Sequence, residues 1–354
     1  MQIELDNYTI FINPELNDSG IFSNWLNSNN YSSIFVLTDD NTLKYCYSLI
    51  NKLLPEHKLL TIKAGEAEKN IETCKYLWQC LTDYQAERKS LLINIGGGVI
   101  GDMGGFVAGT YKRGFDFINL PTTLLAQVDA SVGGKLGVDF NGIKNLIGLF
   151  KNPSAVFIAP MFLASLPQEQ LRSGFSEVLK HGLIYNANYW NSCKNITINK
   201  DIDWLSIIKT SVEIKKDVVK KDPFESGLRK ILNFGHTIGH AVETWSLQND
   251  VSPLLHGEAI AIGMICEAWL SKEINGLTDS ELVDISNTFL SIFGKYPLEK
   301  IPLNKLMDVM LLDKKNDNNT IRFSLLNSIG NCDFDIKATD EAIKASIKYY
   351  CALK

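Results

Sequence analysis

Hydrophobic and polar positions follow two different periods along this chain, and the change of period divides it. Over the first 160 residues, short apolar runs end in polar or glycine-rich turns. Residues 33–38 (SIFVLT) stop at Asp39-Asp40-Asn41, and 58–63 form a second run. Residues 91–95 (LLINI) run straight into glycines, and 117–120 and 155–159 are further runs. Apolar stretches of this length bounded by turn residues predict buried strands. Between them, 72–86 and 101–109 predict helices. Strands separated by helices imply a mostly parallel sheet. After Pro160 a 3.6-residue period takes over and predicts helices over 173–183, 204–220, 226–245 and 257–274. Late in the chain, 321–326 reads as a short strand or hairpin behind a turn at 316–319. The expected organisation is an α/β domain over 1–162 with a mostly parallel sheet, then an all-helical domain over 163–354. The boundary is expected near 160–167.

Composition narrows the class of function. The 354 residues are 45% hydrophobic and 21% charged, which suits packed domains. A net charge of -5 argues against a dedicated nucleic-acid binder, which needs a basic footprint. No apolar run is long enough to span a bilayer. The start, MQIELDNYTIFI, has neither a basic region nor an apolar core of the secretory type, so no export is expected. Seven scattered cysteines without a C-x-x-C pair fit a reduced, cytoplasmic protein. Arginine is scarce (Arg88, Arg113, Arg172, Arg229 and Arg322), so a bidentate anion contact is worth considering where it is used.

Two kinds of chemistry stand out. Gly96-Gly97-Gly98-Val99-Ile100-Gly101 satisfies G-x-G-x-x-G directly after a strand and before a helix, where backbone N–H groups can approach a pyrophosphate. Unlike the ordinary dinucleotide fold, it follows a later strand, and the strand-end acid Asp39 precedes it. The 65–69 turn and Pro121-Thr122-Thr123 would share the carboxyl edge of the same sheet. In the second half, Glu225, Arg229, Asn233, His236 and His240 recur at steps of four, four, three and four, one stripe on a single predicted helix. A solvated face favours Lys and Glu; this one holds metal- and anion-binding types. Gly227, Gly235 and Gly239 inside it suggest close approach of another backbone. Periodicity does not choose among His236, His240, His256, His181 and Glu177 as metal ligands. The 129–135 and 144–145 segments read as loops, and Lys180 and Lys215 lie on helices; converging lysines would suit a phosphate or carboxylate.

Taken together, the motifs resemble the 3-dehydroquinate synthases among the sugar-phosphate cyclases. These are Gly96-Gly-Gly-Val-Ile-Gly-Asp102, Pro121-Thr-Thr-Leu-Leu-Ala-Gln-Val-Asp129, Ser131-Val-Gly-Gly-Lys135, Lys144-Asn145, Glu177-Val-Leu-Lys180, Asn233-Phe-Gly-His236-Thr-Ile-Gly-His240 and His256-Gly-Glu-Ala. The match runs in order from about Thr38 to Asn316. The resemblance implies a dinucleotide-binding α/β domain, a helical metal-binding domain and an active site in the cleft between them. It implies one divalent metal, zinc or cobalt, on Glu177, His236 and His256. It implies NAD contacts from Asp39, Asn41, Glu66, Lys69, Gly97, Gly98, Val99, Asp102, Thr122, Thr123, Lys135, Lys144, Phe162 and Ser165. Asp129, Lys135, Asn145, Lys180, Lys215, Arg229, Asn233, His240 and one of Lys314 or Lys315 would serve the sugar-phosphate substrate. Arg113 resembles the arginine that reaches into a neighbouring subunit's site, which implies a homodimer. The implied reaction converts 3-deoxy-D-arabino-heptulosonate 7-phosphate to 3-dehydroquinate and phosphate, a step of aromatic amino-acid biosynthesis. The alternatives are another cyclase, such as 2-deoxy-scyllo-inosose synthase, or a metal-dependent alcohol or glycerol-phosphate dehydrogenase. Leu136, Asp139 and Ile143 depart from the usual pattern.

Overall fold

Seven strands of the first half pair into one sheet in the order β1-β2-β9-β6-β5-β3-β4. They are β1 Gln2–Leu5, β2 Tyr8–Ile12, β3 Ile34–Asp39, β4 Lys58–Ile62, β5 Leu91–Gly96, β6 Asp116–Pro121 and β9 Ala155–Ile158. The structure, a computed structural model, describes all residues but 6, 142, 200, 201 and 314–320, and leaves out the side chains of 19, 312 and 313. All neighbouring pairs are parallel except β1 with β2, an antiparallel hairpin that the apolar pattern does not predict. The chain divides into two compact units, Met1–Pro167 with Lys200–Lys220, and Gln168–Asn199 with Lys221–Lys354.

In the first unit both faces of the sheet are covered, which explains why its strands are continuously apolar. Successive strand residues point to opposite faces. Phe35, Leu37, Leu92 and Phe117 join one core, with Leu77 and Leu81 of the helix Ile71–Asp83 and Ile100 and Met103 of the helix Gly98–Thr110. Val36, Ile93, Ile95 and Ile118 join the other, with Phe22 and Leu26 of the helix Ile21–Ser28. The parallel direction places the ends of β3, β4, β5, β6 and β9 on one edge, so the loops carrying Asp39, Glu66, Gly97, Thr122 and Phe162 all leave from it.

A second hairpin, β7 Lys135–Phe140 with β8 Ile143–Phe150, corrects one expectation. Lys135 and the Lys144-Asn145 pair lie on strands, not in loops. Asp129 sits in the short helical turn Ala126–Ala130.

The second unit is helical apart from the hairpin of β10 Arg322–Ser328 and β11 Asn331–Lys337. Its hub is the helix His256–Ile274, in which thirteen residues are buried, so its apolar positions run around the whole circumference. Around it pack the helices Gln168–Tyr185, His236–Asn249, Asp279–Phe293 and Asp340–Ala352. Among the described residues no helix is long and apolar enough to cross a membrane.

The expected continuous helix over 226–245 does not form. Leu228–Asn233 is a 3-10 helix, and an α-helix begins afresh at His236. Gly235 between them adopts φ 82, a left-handed conformation that interrupts the helix. Arg229 and Asn233 therefore do not share a helical stripe with His236 and His240.

Candidate functional site

In the first unit the glycine turn after β5 forms a cradle. Gly97 is the N-cap of the helix Gly98–Thr110, whose first N–H groups have no intrahelical acceptors. A Cβ on Gly97 would lie 3.0 Å from Thr123, whereas Gly98 and Gly101 face more open space. A small recess lies over the turn, lined by Gly96, Gly97, Gly98, Gly101, Asp102, Pro121 and Ser131 among others. The missing side chains leave the backbone N–H groups at the positive end of this helix open to an approaching anion such as a pyrophosphate.

Charged groups flank this cradle. Lys69 is buried, and its ammonium donates to Asp102 and to Asn145 Oδ1, each at 2.7 Å. Burial opposes the charge on Lys69, but the carboxylates of Asp102 and Glu66 more than offset it and raise its pKa. Lys144 lies 3.8 Å from Glu66. Asp139, one of the departures, has a structural part here. Its carboxylate accepts the Asn145 N–H at 2.8 Å, and its own N–H donates to the Lys69 carbonyl at 2.8 Å. It thus holds Asn145 at φ 51 beside Lys69. Leu136 is buried in the apolar core below the hairpin. Lys215 donates to both the carbonyl and a carboxylate oxygen of Asp129 at 2.7 Å.

The other candidate NAD-contact residues lie on several kinds of element. Asp39 caps the turn that follows it, accepting the Thr42 N–H at 2.7 Å, while Asn41 is exposed. Burial raises the Asp39 pKa, partly offset by its bonds to Thr42. Thr122 and Phe162 are buried; Thr123 and Val99 are partly so, and Ser165 is exposed. Lys135 is exposed at the start of β7. Arg113 is exposed on a turn at φ 69. Lys314 and Lys315 lie outside the described residues.

In the second unit, three imidazoles and a carboxylate converge. The ring centres of His236, His240 and His256 are 5.1 to 5.8 Å apart. Glu177 is fully buried, with its Oε1 3.9 Å from His236 Nε2 and its Oε2 against the Lys180 ammonium. Neither oxygen accepts a well-formed hydrogen bond. Lys180 compensates Oε2, and Oε1, on the His236 side, is left without a donor, a condition that suits a metal ligand. One donor atom each from Glu177, His236 and His256 lies within 4.8 Å of the others. Ligands of a tetrahedral ion are about 3.4 Å apart, so small side-chain adjustments suffice.

His240, Glu243 and His256 form a second such set in this unit. Hydrogen bonding favours the first. His236 Nδ1 lies 3.1 Å from the Phe234 carbonyl, which can only accept, so Nδ1 carries the proton and Nε2 faces Glu177. His256 Nδ1 lies 3.4 Å from Glu243, the usual arrangement of a carboxylate behind a metal-binding histidine. Burial, then the Lys180 charge and the two neighbouring imidazoles, hold His236 well below its ordinary value of 6.5. The neutral ring is the form that binds metal. His181 is buried on the same helix as Glu177 but belongs to neither set within this unit.

The anion-binding candidates stand beside this group in sequence. Arg229 is buried and donates to the Pro223 carbonyl at 2.6 Å. Asn233 donates to Glu225 at 2.7 Å. Sequence reasoning missed Asp222, which accepts the N–H groups of Ser226, Gly227 and Arg229 and so shapes the segment leading to Arg229. Burial alone would raise the Asp222 pKa; these donors outweigh it and lower the value. Glu267, a lone carboxylate in an otherwise apolar stretch of its helix, was also missed, and that isolation was the available signal.

Close backbone contacts bring the ligands together. A Cβ on Gly257 would lie 2.6 Å from the Ser173 carbonyl carbon, so the helix of His256 abuts that of Glu177. A Cβ on Gly263 would lie 2.6 Å from Gly239 N and closer still to the Gly235 carbonyl, so it also abuts the helix of His236.

Comparison with known proteins gives a consistent result. Residues 59–173 match the family described as 3-dehydroquinate synthase N-terminal, and 174–316 the one described as 3-dehydroquinate synthase C-terminal. A 3-dehydroquinate synthase of Parabacteroides distasonis is 38% identical over 92% of this chain and 93% of its own length. That of Clostridium tetani is 37% identical over 98% and 94%. Among solved structures, a 2-deoxy-scyllo-inosose synthase complexed with carbaglucose-6-phosphate, NAD+ and Co2+ aligns with a TM-score of 0.81 at 25% identity, over 99% of each chain.

Proposed function

Because this chain belongs to the 3-dehydroquinate synthase family, we infer that it converts 3-deoxy-D-arabino-heptulosonate 7-phosphate to 3-dehydroquinate and phosphate. The observation that carries the reading is the convergence of buried Glu177 with the partly exposed His236 and His256 in a chain so similar to named 3-dehydroquinate synthases. The dehydrogenase alternative shares the cofactor and metal logic but not this sequence likeness.

Glu177, His236 and His256 would hold one divalent ion, zinc or cobalt. The glycine cradle and the loops carrying Asp39, Asn41, Glu66, Lys69, Val99, Asp102, Thr122, Thr123, Lys135, Lys144, Phe162 and Ser165 would hold NAD. When bound, NAD takes up and returns a hydride, and the ion polarises the oxygen being oxidised. Oxidation at carbon 5 of the substrate acidifies the neighbouring C–H, and phosphate then leaves by β-elimination. After the ketone is reduced again, the ring opens and an intramolecular aldol closes the carbocycle.

The chain's own residues bind and orient. Arg229 presents a planar fork suited to the substrate carboxylate. Lys135, Asn145, Lys180, Lys215, Asn233 and His240 supply donors and positive charge, which stabilise charge developing on the departing phosphate. Asp129 orients Lys215 through the two bonds between them. Lys314 or Lys315 adds a further cation, and Arg113 serves the site of a second subunit in a cytoplasmic homodimer.

The test is phosphate release from the heptulosonate phosphate, with and without NAD and a chelator. We expect release that needs both NAD and metal, with no accumulation of NADH. Accumulating NADH would favour a dehydrogenase, and no release with any divalent metal would overturn the assignment.

A further inference from the structure

The helix that begins at His236 has an unusual start. Its N-cap is Gly235, which has no side chain to satisfy the first amides, and none would fit. At φ 82 a Cβ there would also lie 3.1 Å from the Ile260 carbonyl. Capping is instead supplied from another helix. Glu267, fully buried on the helix His256–Ile274, accepts the Gly235 N–H at 2.7 Å through Oε2 and the Ile238 N–H at 3.0 Å through Oε1. The positive end of the His236 helix favours a carboxylate at this place.

The Gly235 N–H belongs to the same peptide group as the Phe234 carbonyl, and that carbonyl accepts the proton of His236 Nδ1. A hydrogen-bonded line therefore runs from Glu267 through the 234–235 peptide to the His236 ring. Fixing one end of a planar peptide fixes the other, and a bond at its N–H strengthens the acceptor at its C=O. We propose that Glu267 is a positioning residue for His236, fixing through this peptide the ring tautomer and orientation that present Nε2 toward Glu177. Glu267 also lies on the helix that opens with His256, so the same carboxylate joins the two helices that carry histidine ligands. This inference rests on the reading of Glu177, His236 and His256 as a metal set.

The experiment compares the metal-free wild type with Glu267→Gln. Gln keeps the size but replaces one acceptor by an amide NH2 that faces a backbone donor. Three quantities are measured: the His236 tautomer by nitrogen–proton correlation NMR, Zn2+ affinity by competition with a chromogenic chelator, and the visible absorption of the Co2+-loaded protein. We expect a single Nδ1–H tautomer in the wild type and a mixture in the variant. Zn2+ affinity should fall about 10–100-fold, as for other groups that orient a ligand, with an altered Co2+ spectrum. Ile285→Ala, a core truncation elsewhere in the same unit, controls for lost stability and should leave tautomer, affinity and spectrum unchanged.

A Glu267→Gln protein that is less stable but keeps wild-type tautomer, affinity and spectrum would make Glu267 merely structural and overturn the proposal. Should that variant not fold, the wild type still decides, because an Nε2–H tautomer of His236 is incompatible with the proposed line. Failure of the underlying reading looks different: His236→Ala would then bind Zn2+ as tightly as wild type.

Discussion

Replacing Gly263 by alanine separates local propensity from tertiary fit. In an isolated helix this change is favourable by roughly 1 kcal/mol. Here the new methyl would lie 2.6 Å from Gly239 N and closer to the Gly235 carbonyl. Both are backbone atoms that cannot rotate away, so relief requires the two helices to part by roughly 1 Å to restore ordinary van der Waals contact. Overpacking of this kind costs about 1–3 kcal/mol, and contact with backbone on both counts places it near the upper end. The net effect is a loss of about 2 kcal/mol, a fall in Tm of about 4–8 °C for a unit of this size. A metal site tolerates errors of only about 0.2 Å in its ligand distances. Parting the helices of His236 and His256 should therefore weaken metal binding as well. Thermal unfolding of the metal-free protein and Zn2+ titration of the same sample measure both effects. A Gly263→Ala protein with raised Tm and unchanged Zn2+ affinity would refute the reasoning, since propensity alone would then govern this position.

Three further outcomes follow from the geometry. His236→Ala should abolish stoichiometric metal retention, whereas His240→Ala should keep the metal and lose turnover; equal metal loss in both, measured by elemental analysis, would contradict the assigned ligand set. Asp39→Asn retains an oxygen for the Thr42 N–H and so preserves a cap worth ~1 kcal/mol, but removes the charge, so NAD affinity should fall in calorimetry with little change in Tm. The pKa of Asp222 is lowered on folding, so it contributes stability above its ordinary value of 3.8 that is lost as pH falls through the depressed folded value; Asp222→Asn should flatten that part of the acid-unfolding curve, and an unchanged slope would count against the three backbone donors as its cause.

Much of this protein is legible in its residue pattern because periodicity is a property of single elements. Apolar runs of four to six residues locate β3, β4, β5, β6 and β9, since strands covered on both faces need no polar alternation. The helices of Glu177, Lys215 and His256 follow from their 3.6-residue period in the same way. The ordered motifs also carry the family and the candidate ligands. The hairpin of β7 and β8 was not readable, because glycine-rich, partly exposed strands have weak patterns and owe their form to each other. The break at Gly235 was hidden too. The polar spacing across it fits one helix, and only the pressing of Ile260 and Met264 against Gly235 shows why the chain turns there. Likewise, nothing local pairs Lys69 with Asp102, sets Asp139 under Asn145, or brings Glu267 to the amides of Gly235 and Ile238. Those partners are 6 to 33 residues apart along the chain. Sequence determined the elements and the chemical types available on them. Tertiary packing decided which types meet, because close backbone approach at Gly257 and Gly263 depends on the surfaces of two helices at once.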